Sequence, residues 1–250
     1  ILSVNDSPSS EGARHVTVTP VKADEASDLR LWHWIEEKRK TVAEATDGRV
    51  GYIYLPNTAG DGYDLFNRYF FSQVDKQGLV IDERFNGGGQ AANYIIETLS
   101  RPYLASWKDR DGELFTTPAG VHKGPKAMLI NQYAGSGGDF LPWAFRRMEL
   151  GPLIGTRTWG GLIGIAANPP LIDGGFLSVP YFRFITPDKE WAVENEGVGP
   201  DIEVHQEPKA VIAGGDPQLE RAIAEVTRDL EDYDSPILQE APPLPTEPGQ

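Results

Sequence analysis

Asn131-Gln-Tyr-Ala-Gly-Ser-Gly-Gly-Asp139 decides how this chain is read. It sets one serine, Ser136, among three glycines. The apolar run Ala127-Met-Leu-Ile130 stands before it and the amphipathic stretch Phe140-Leu-Pro-Trp-Ala-Phe-Arg-Arg-Met148 after it. That order reads as strand, tight turn and helix. A serine in such a turn stands at a helix N-terminus, where free backbone N–H groups favour negative charge. Acyl transfer needs that environment, because the substrate's carbonyl oxygen becomes an oxyanion. Small neighbours let a substrate come close to the hydroxyl. A serine so placed also serves as an ordinary turn residue or helix cap. The surrounding chain has to separate the two.

The same order of elements recurs on the N-terminal side. Val50-Gly-Tyr-Ile-Tyr-Leu55 and Leu79-Val-Ile-Asp82 read as buried strands, Leu65 to Phe71 and Ala91 to Leu99 as helices, and Pro56 to Gly62 as a loop. From 50 to 155 the pattern is strand–helix three times over, which predicts a parallel sheet with crossover helices, an α/β fold. Asp82-Glu-Arg-Phe-Asn-Gly-Gly-Gly89 is a second glycine turn between a strand and a helix. It fits neither G-x-G-x-x-G nor G-x-x-x-x-G-K-[ST], so a nucleotide fold is not supported. Ligands of α/β sheets sit outside the carboxyl ends of the strands, and both glycine turns belong there. They are expected to converge, one offering a hydroxyl and the other an N–H for an oxyanion.

Beyond 155, Leu162 to Ala166, Phe176 to Val179 and Tyr181 to Ile185 read as antiparallel strands. Asp216-Pro217 opens a helix to about Leu230. Ahead of residue 50, a helix is expected over 27–45, capped by Ser27 or Asp28. Residues 1–22 read as two short strands, which cannot stand as an independent domain. Residues 235–250 form a proline-rich extended tail.

With 250 residues and 40% hydrophobic content, the chain is long enough for one large core. A net charge of −14 makes it a poor ligand for nucleic acid or an anionic membrane. The absence of cysteine excludes disulfides, thiolate catalysis and zinc–thiolate sites. The histidines are scattered without a His-x-x-x-His pair, so no metal site and no cofactor is expected. No apolar run reaches about 18 residues, the length a membrane helix requires. Ile1 to Pro8 lacks the basic and apolar regions of a signal peptide, and the chain is expected to be the interior of a longer polypeptide.

Taken together, several segments resemble the tail-specific serine peptidases, family S41, and within them the tricorn-like branch. They are Leu29-Arg30 through Ile35 with Arg39, Gly48 to Ile53, Asp82 to Gly89, Asn131 to Asp139, Gly155 to Gly161, and Glu194 to Ile202. The resemblance covers most of the chain and implies a ClpP/crotonase-like α/β catalytic domain over 23–234. Residues 1–22 would be the last strands of a PDZ-like domain. It implies Ser136 as nucleophile, an oxyanion hole from the N–H groups of Gly88 and Gly137, and Glu194 as the acid supporting the base, with Glu196 as competitor. The branch usually carries an acid after the serine; here that residue is Gly137. Related processing peptidases use a Ser–Lys pair, but the matching stretch reads Thr158-Trp-Gly-Gly161, so the base is expected to be histidine.

None of His15, His33, His122 and His205 stands in the Ser-His context of that family's base. His33 reads as a packing residue, His15 as a strand residue, and His122 and His205 as surface or strand-end residues. The histidine is therefore expected in an N-terminal segment outside this chain, leaving the chain alone a poor catalyst. The resemblance further implies oligopeptide substrates, contacts with N-terminal domains of the same polypeptide, a homo-oligomer (hexameric in tricorn-like enzymes) and a cytoplasmic location. The acidic loop Asp109 to Glu113 would favour a basic substrate side chain. The alternatives are a non-catalytic ligand-binding module on the same fold, and a crotonase-like thioester enzyme, which would need a basic CoA-binding patch.

Overall fold

The computed structural model describes residues 1–167 and 169–243. The last part of the expected tail, 244–250, lies outside the described residues, and 235–243 carry neither helix nor strand. The chain divides into two compact units, Ile1–Lys38 and Arg39–Gln250. In the first, β1 (Leu2–Val4) pairs antiparallel with β2 (Arg14–Val16), matching Ser3 with His15. Helix α1 (Ala23–Ala45) begins in this unit and ends in the next. It starts ahead of the expected Ser27, because Asp24 and Glu25 in its first turn complement the helix dipole.

The second unit is built on a five-stranded sheet. Its strands are β3 (Val50–Tyr54), β4 (Gly78–Asp82), β7 (Lys126–Ile130), β8 (Leu153–Gly155) and β11 (Ile202–Glu203). The spatial order is β11-β8-β7-β4-β3 and every pairing is parallel. β3, β4 and β7 are buried at every position. Strands covered on both faces read as unbroken apolar runs, which is how these three appear in the sequence. Helices α2 (Gly60–Phe71), α3 (Ala92–Leu99), α4 (Gly137–Arg147) and α6 (Pro217–Glu231) accompany the sheet, with the short α5 (Pro208–Ile212) between. The core joins Ile53, Phe66, Ile81, Met128, Leu141 and Phe145, each wholly removed from solvent.

Several expectations are corrected. α2 begins at Gly60 rather than Leu65, because the Asn57 side chain accepts the N–H groups of Ala59 and Gly62 and caps the chain early. Gly62 is required there: a Cβ would fall 1.7 Å from the Asn57 carbonyl oxygen. A hairpin of β5 (Ala105–Lys108) and β6 (Leu114–Thr117) stands between α3 and β7, with the acidic loop as its tip. The two strands expected at 176–185 are one, β10 (Ser178–Phe182), paired antiparallel with β9 (Gly164–Ala167); the register shifts just after Pro180. A proline is tolerated in such a two-stranded ribbon, where one edge is free.

One ion cluster fixes the edge of the sheet from which the site rises. Arg84, 2% exposed, stands two residues after the end of β4. Its guanidinium donates to both carboxylate oxygens of Asp82 and both of Asp216. Tyr52 donates its hydroxyl to Asp82 at 2.8 Å. Asp216 is also the cap of α6, accepting the Leu219 N–H. The cluster thus ties β3, β4 and α6 together. Replacing Arg84 by methionine removes the counter-charge of two buried carboxylates. It is expected to cost about 3–5 kcal/mol, read as a lower urea midpoint; an unchanged midpoint would show the cluster to be dispensable.

Candidate active site

β4 and β7 are neighbours, so the turns leaving their carboxyl ends stand side by side. The two are tied by a hydrogen bond from Gly135 N–H to the Asn86 carbonyl at 3.0 Å. The loop after β3 joins them: Thr58 N–H donates to Gly88 O, and Gly87 N–H to Pro56 O. Ser136 sits at the cap of α4 with φ 55° and ψ −114°, a conformation L-residues rarely adopt. Strain of this kind costs of order 1–3 kcal/mol and collects at functional sites. A serine on a strained strand-to-helix turn is also how α/β hydrolases present their nucleophile.

The strain is held by Asp139. Its buried carboxylate accepts Ser136 N–H at 2.8 Å, Gly160 N–H at 2.8 Å, Gly161 N–H at 3.1 Å and the Thr158 hydroxyl. The Gly161 carbonyl in turn accepts Ser136 N–H at 3.1 Å. Asp139 lies in the first turn of α4, where a carboxylate also complements the helix dipole. Asp139 was legible as the last residue of the glycine turn, but its role as the hub was not.

Gly88 presses on the serine: a Cβ there would lie 2.6 Å from Ser136 Cβ. The convergence expected of the two glycine turns therefore exists in the fold. Gly137, as the first residue of α4, has an N–H with no acceptor among the described residues. Gly88 N–H donates to Asn86 Oδ1 at 2.9 Å. Gly89 N–H, which has no described acceptor either, lies next to Gly137.

Glu194 is half-buried, and its Oε2 accepts Leu162 N–H at 2.6 Å and Ile163 N–H at 2.7 Å. These residues directly follow Gly161, the partner of Ser136. Glu194 is carried by a tight turn in which Val193, Asn195 and Gly197 all have positive φ. Asn195 N–H donates to Gly160 O at 2.7 Å, closing the turn on the Asp139 hub. Glu196 is exposed and has no such anchorage.

A model of Peptidase family S41 matches residues 49–204. The chain belongs to family S41. It is 42% identical to a tricorn protease of Thermoplasma volcanium over 82% of its length, and 37% identical to tricorn protease homolog 1 of Streptomyces coelicolor over 90%. It spans 20% and 21% of those two relatives. The crystal structure of the tricorn protease superposes with a TM-score of 0.76 at 40% identity, over 80% of this chain and 20% of that one.

Within this S41 chain the glycine after the serine has a steric reason. A side chain at Gly137 would meet Thr58 Oγ1 at 2.1 Å and Gly89 O at 2.3 Å. The two histidines of the second unit are engaged away from these turns. His122 is buried, not at the surface as expected; its Nε2 pairs with Lys76 O at 2.9 Å. Burial, followed by the charge of Lys126, pushes its pKa down to about 3, so it stays neutral. His33 is exposed rather than packed, and His15 and His205 are exposed too. His205 faces Glu203 at 3.1 Å. In the acidic loop, Asp109 accepts Gly112 and Glu113 N–H and holds the hairpin turn. Among the described residues no helix is long and apolar enough to cross a membrane.

Glu83, missed in the sequence, is wholly buried behind the site. Desolvation, then the nearby charges of Asp139 and Asp82, raise its pKa well above the usual carboxylate range. Its Oε1 has no hydrogen-bond partner among the described residues. The folded state therefore holds this proton to higher pH than the unfolded chain does. Below pH about 4.5 both states are protonated and the group costs nothing; above it, the cost grows with pH. Glu83→Gln is expected to raise the urea midpoint at pH 7 and to lose that advantage near pH 4. Equal gains at both pH values would contradict a neutral buried Glu83.

Proposed function

We propose that this chain is the catalytic part of a serine peptidase that hydrolyses short peptides, with Ser136 as nucleophile. The observation that carries the reading is Ser136 itself: a strained residue at a helix N-terminus, with an unbonded Gly137 N–H beside it and Gly88 against it. Ser136 Oγ attacks the peptide carbonyl while a histidine accepts its proton. The tetrahedral oxyanion binds Gly137 N–H and Gly88 N–H. Gly88 exchanges its neutral acceptor, Asn86 Oδ1, for a charged one, and charged acceptors form the stronger bond. Collapse returns the proton to the leaving amine and leaves an ester on Ser136. Water, activated by the same histidine, then releases the second product and the free serine.

Neither His122 nor His205, the histidines of the second unit, is bonded to Ser136 or Glu194 among the described residues, which supports a base supplied from another segment of the protein. Glu194, anchored beside Gly161, is the acid that orients it. Residues 1–22 serve as the end of a PDZ-like domain. The substrates are oligopeptides met in the cytoplasm, and the protein works as a homo-oligomer, as its relatives' tricorn likeness implies.

Fluorophosphonate labelling with mapping of the modified residue tests this. Label is expected on Ser136 in the full-length protein, far less in this chain alone, and none after Ser136→Ala. Glu194→Gln should lower kcat/KM by about 10²-fold or more, with Glu196→Gln changing it little. Label on a different serine, or none at all, would favour a ligand-binding module on the same fold.

A further inference from the structure

Two aromatic side chains stand out on the turns that form the site. Phe85 and Tyr133 are 51% and 63% exposed, yet they stack on each other with ring centres 5.5 Å apart and planes 14° from parallel. Phe85 belongs to the turn that ends in Gly88, and Tyr133 to the turn that carries Ser136. Both are fixed from below by one buried amide. Asn131 Oδ1 accepts Phe85 N–H at 3.0 Å and Tyr133 N–H at 3.1 Å, and Asn131 is 6% exposed. The next rung towards the serine is the bond from Gly135 N–H to Asn86 O.

Phe85 also has φ 69°. Positive φ is a true outlier for a bulky side chain, and such strain persists only where the surroundings enforce it. Arg84 is locked into the buried ion cluster on one side, and Asn131 holds the N–H. The fold thus tolerates strain to keep the Phe85 ring in water, stacked on Tyr133, on the turn tied to the one that carries Ser136. Apolar subsites are built this way, from rigid walls placed by polar anchors.

Building on the peptidase reading, we infer that Phe85 and Tyr133 form the wall of a subsite that receives an apolar side chain of the peptide next to the scissile bond. Asn131 is the positioning residue that sets this wall. The acidic hairpin tip has no comparable setting, since Asp109 is engaged by its own turn.

The test uses the full-length protein and paired peptides that differ only in carrying leucine or phenylalanine, as against glycine, at each residue flanking the cleaved bond. In Phe85→Ala and in Tyr133→Ala the preference, as a ratio of kcat/KM values, is expected to fall about tenfold, the scale set by loss of apolar pocket contacts. Phe85→Leu, which keeps apolar bulk, should restore most of it. Fluorophosphonate labelling of Ser136 is followed in parallel. Label on Ser136 with an unchanged ratio, or with equal losses for both peptides, overturns this subsite alone. Absence of label in the wild-type protein overturns the peptidase reading and the subsite with it.

Discussion

The Asp139 carboxylate is the constraint on which the site depends. A buried carboxylate without donors costs several kcal/mol, so the fold must bring donors to it. It brings four: the N–H groups of Ser136, Gly160 and Gly161, and the Thr158 hydroxyl. Satisfying that one side chain fixes the strained backbone of Ser136 and clamps the segment after β8 onto the start of α4. Through Asn195 N–H and Gly160 O, the turn bearing Glu194 is fixed as well. Ser136 and Glu194 are thus positioned by a single buried acceptor.

The opposite wall has its own anchor. Arg84 joins the end of β4 to the cap of α6, and the residues that follow it, Phe85 to Gly88, lie directly against the serine turn. Asn131 spans the two turns from beneath. Each loop of the site therefore ends in a buried polar group with satisfied bonds, which holds catalytic geometry more firmly than loop backbone alone does. Glu83, packed behind them with a raised pKa, is the place where this arrangement works against stability.

Much of this was legible in the sequence. β3, β4 and β7 announce themselves because strands buried on both faces are continuous apolar runs, and the meeting of the two glycine turns follows from adjacent parallel strands. α6 was readable from Asp216-Pro217. The misreadings share a cause: local pattern gives way to contacts between distant residues. Asn57 starts α2 early through its side chain. Strands β8 and β11 are too short to show a period, and Pro180 reads as a break although a free ribbon edge accommodates it. His122 looked like a loop residue because its burial is created by other elements. Glu194, preferred to Glu196 in the sequence, differs from it in the fold because Leu162 and Ile163 supply N–H groups to Glu194. The engagement of Gly88 N–H by Asn86 Oδ1 belongs to the same class.

The most direct measurement is the rate at which Ser136 is phosphonylated by a fluorophosphonate, with loss of fluoride, in the full-length protein carrying Asp139→Asn, at a temperature where its melting curve shows it folded. The asparagine keeps the size of the side chain but cannot accept four bonds at its two terminal positions. If Asp139 sets the nucleophile, the rate should fall by about 10²-fold or more relative to wild type, the scale for loss of a catalytic geometry. A folded variant that is phosphonylated at the wild-type rate would contradict the central role of that carboxylate.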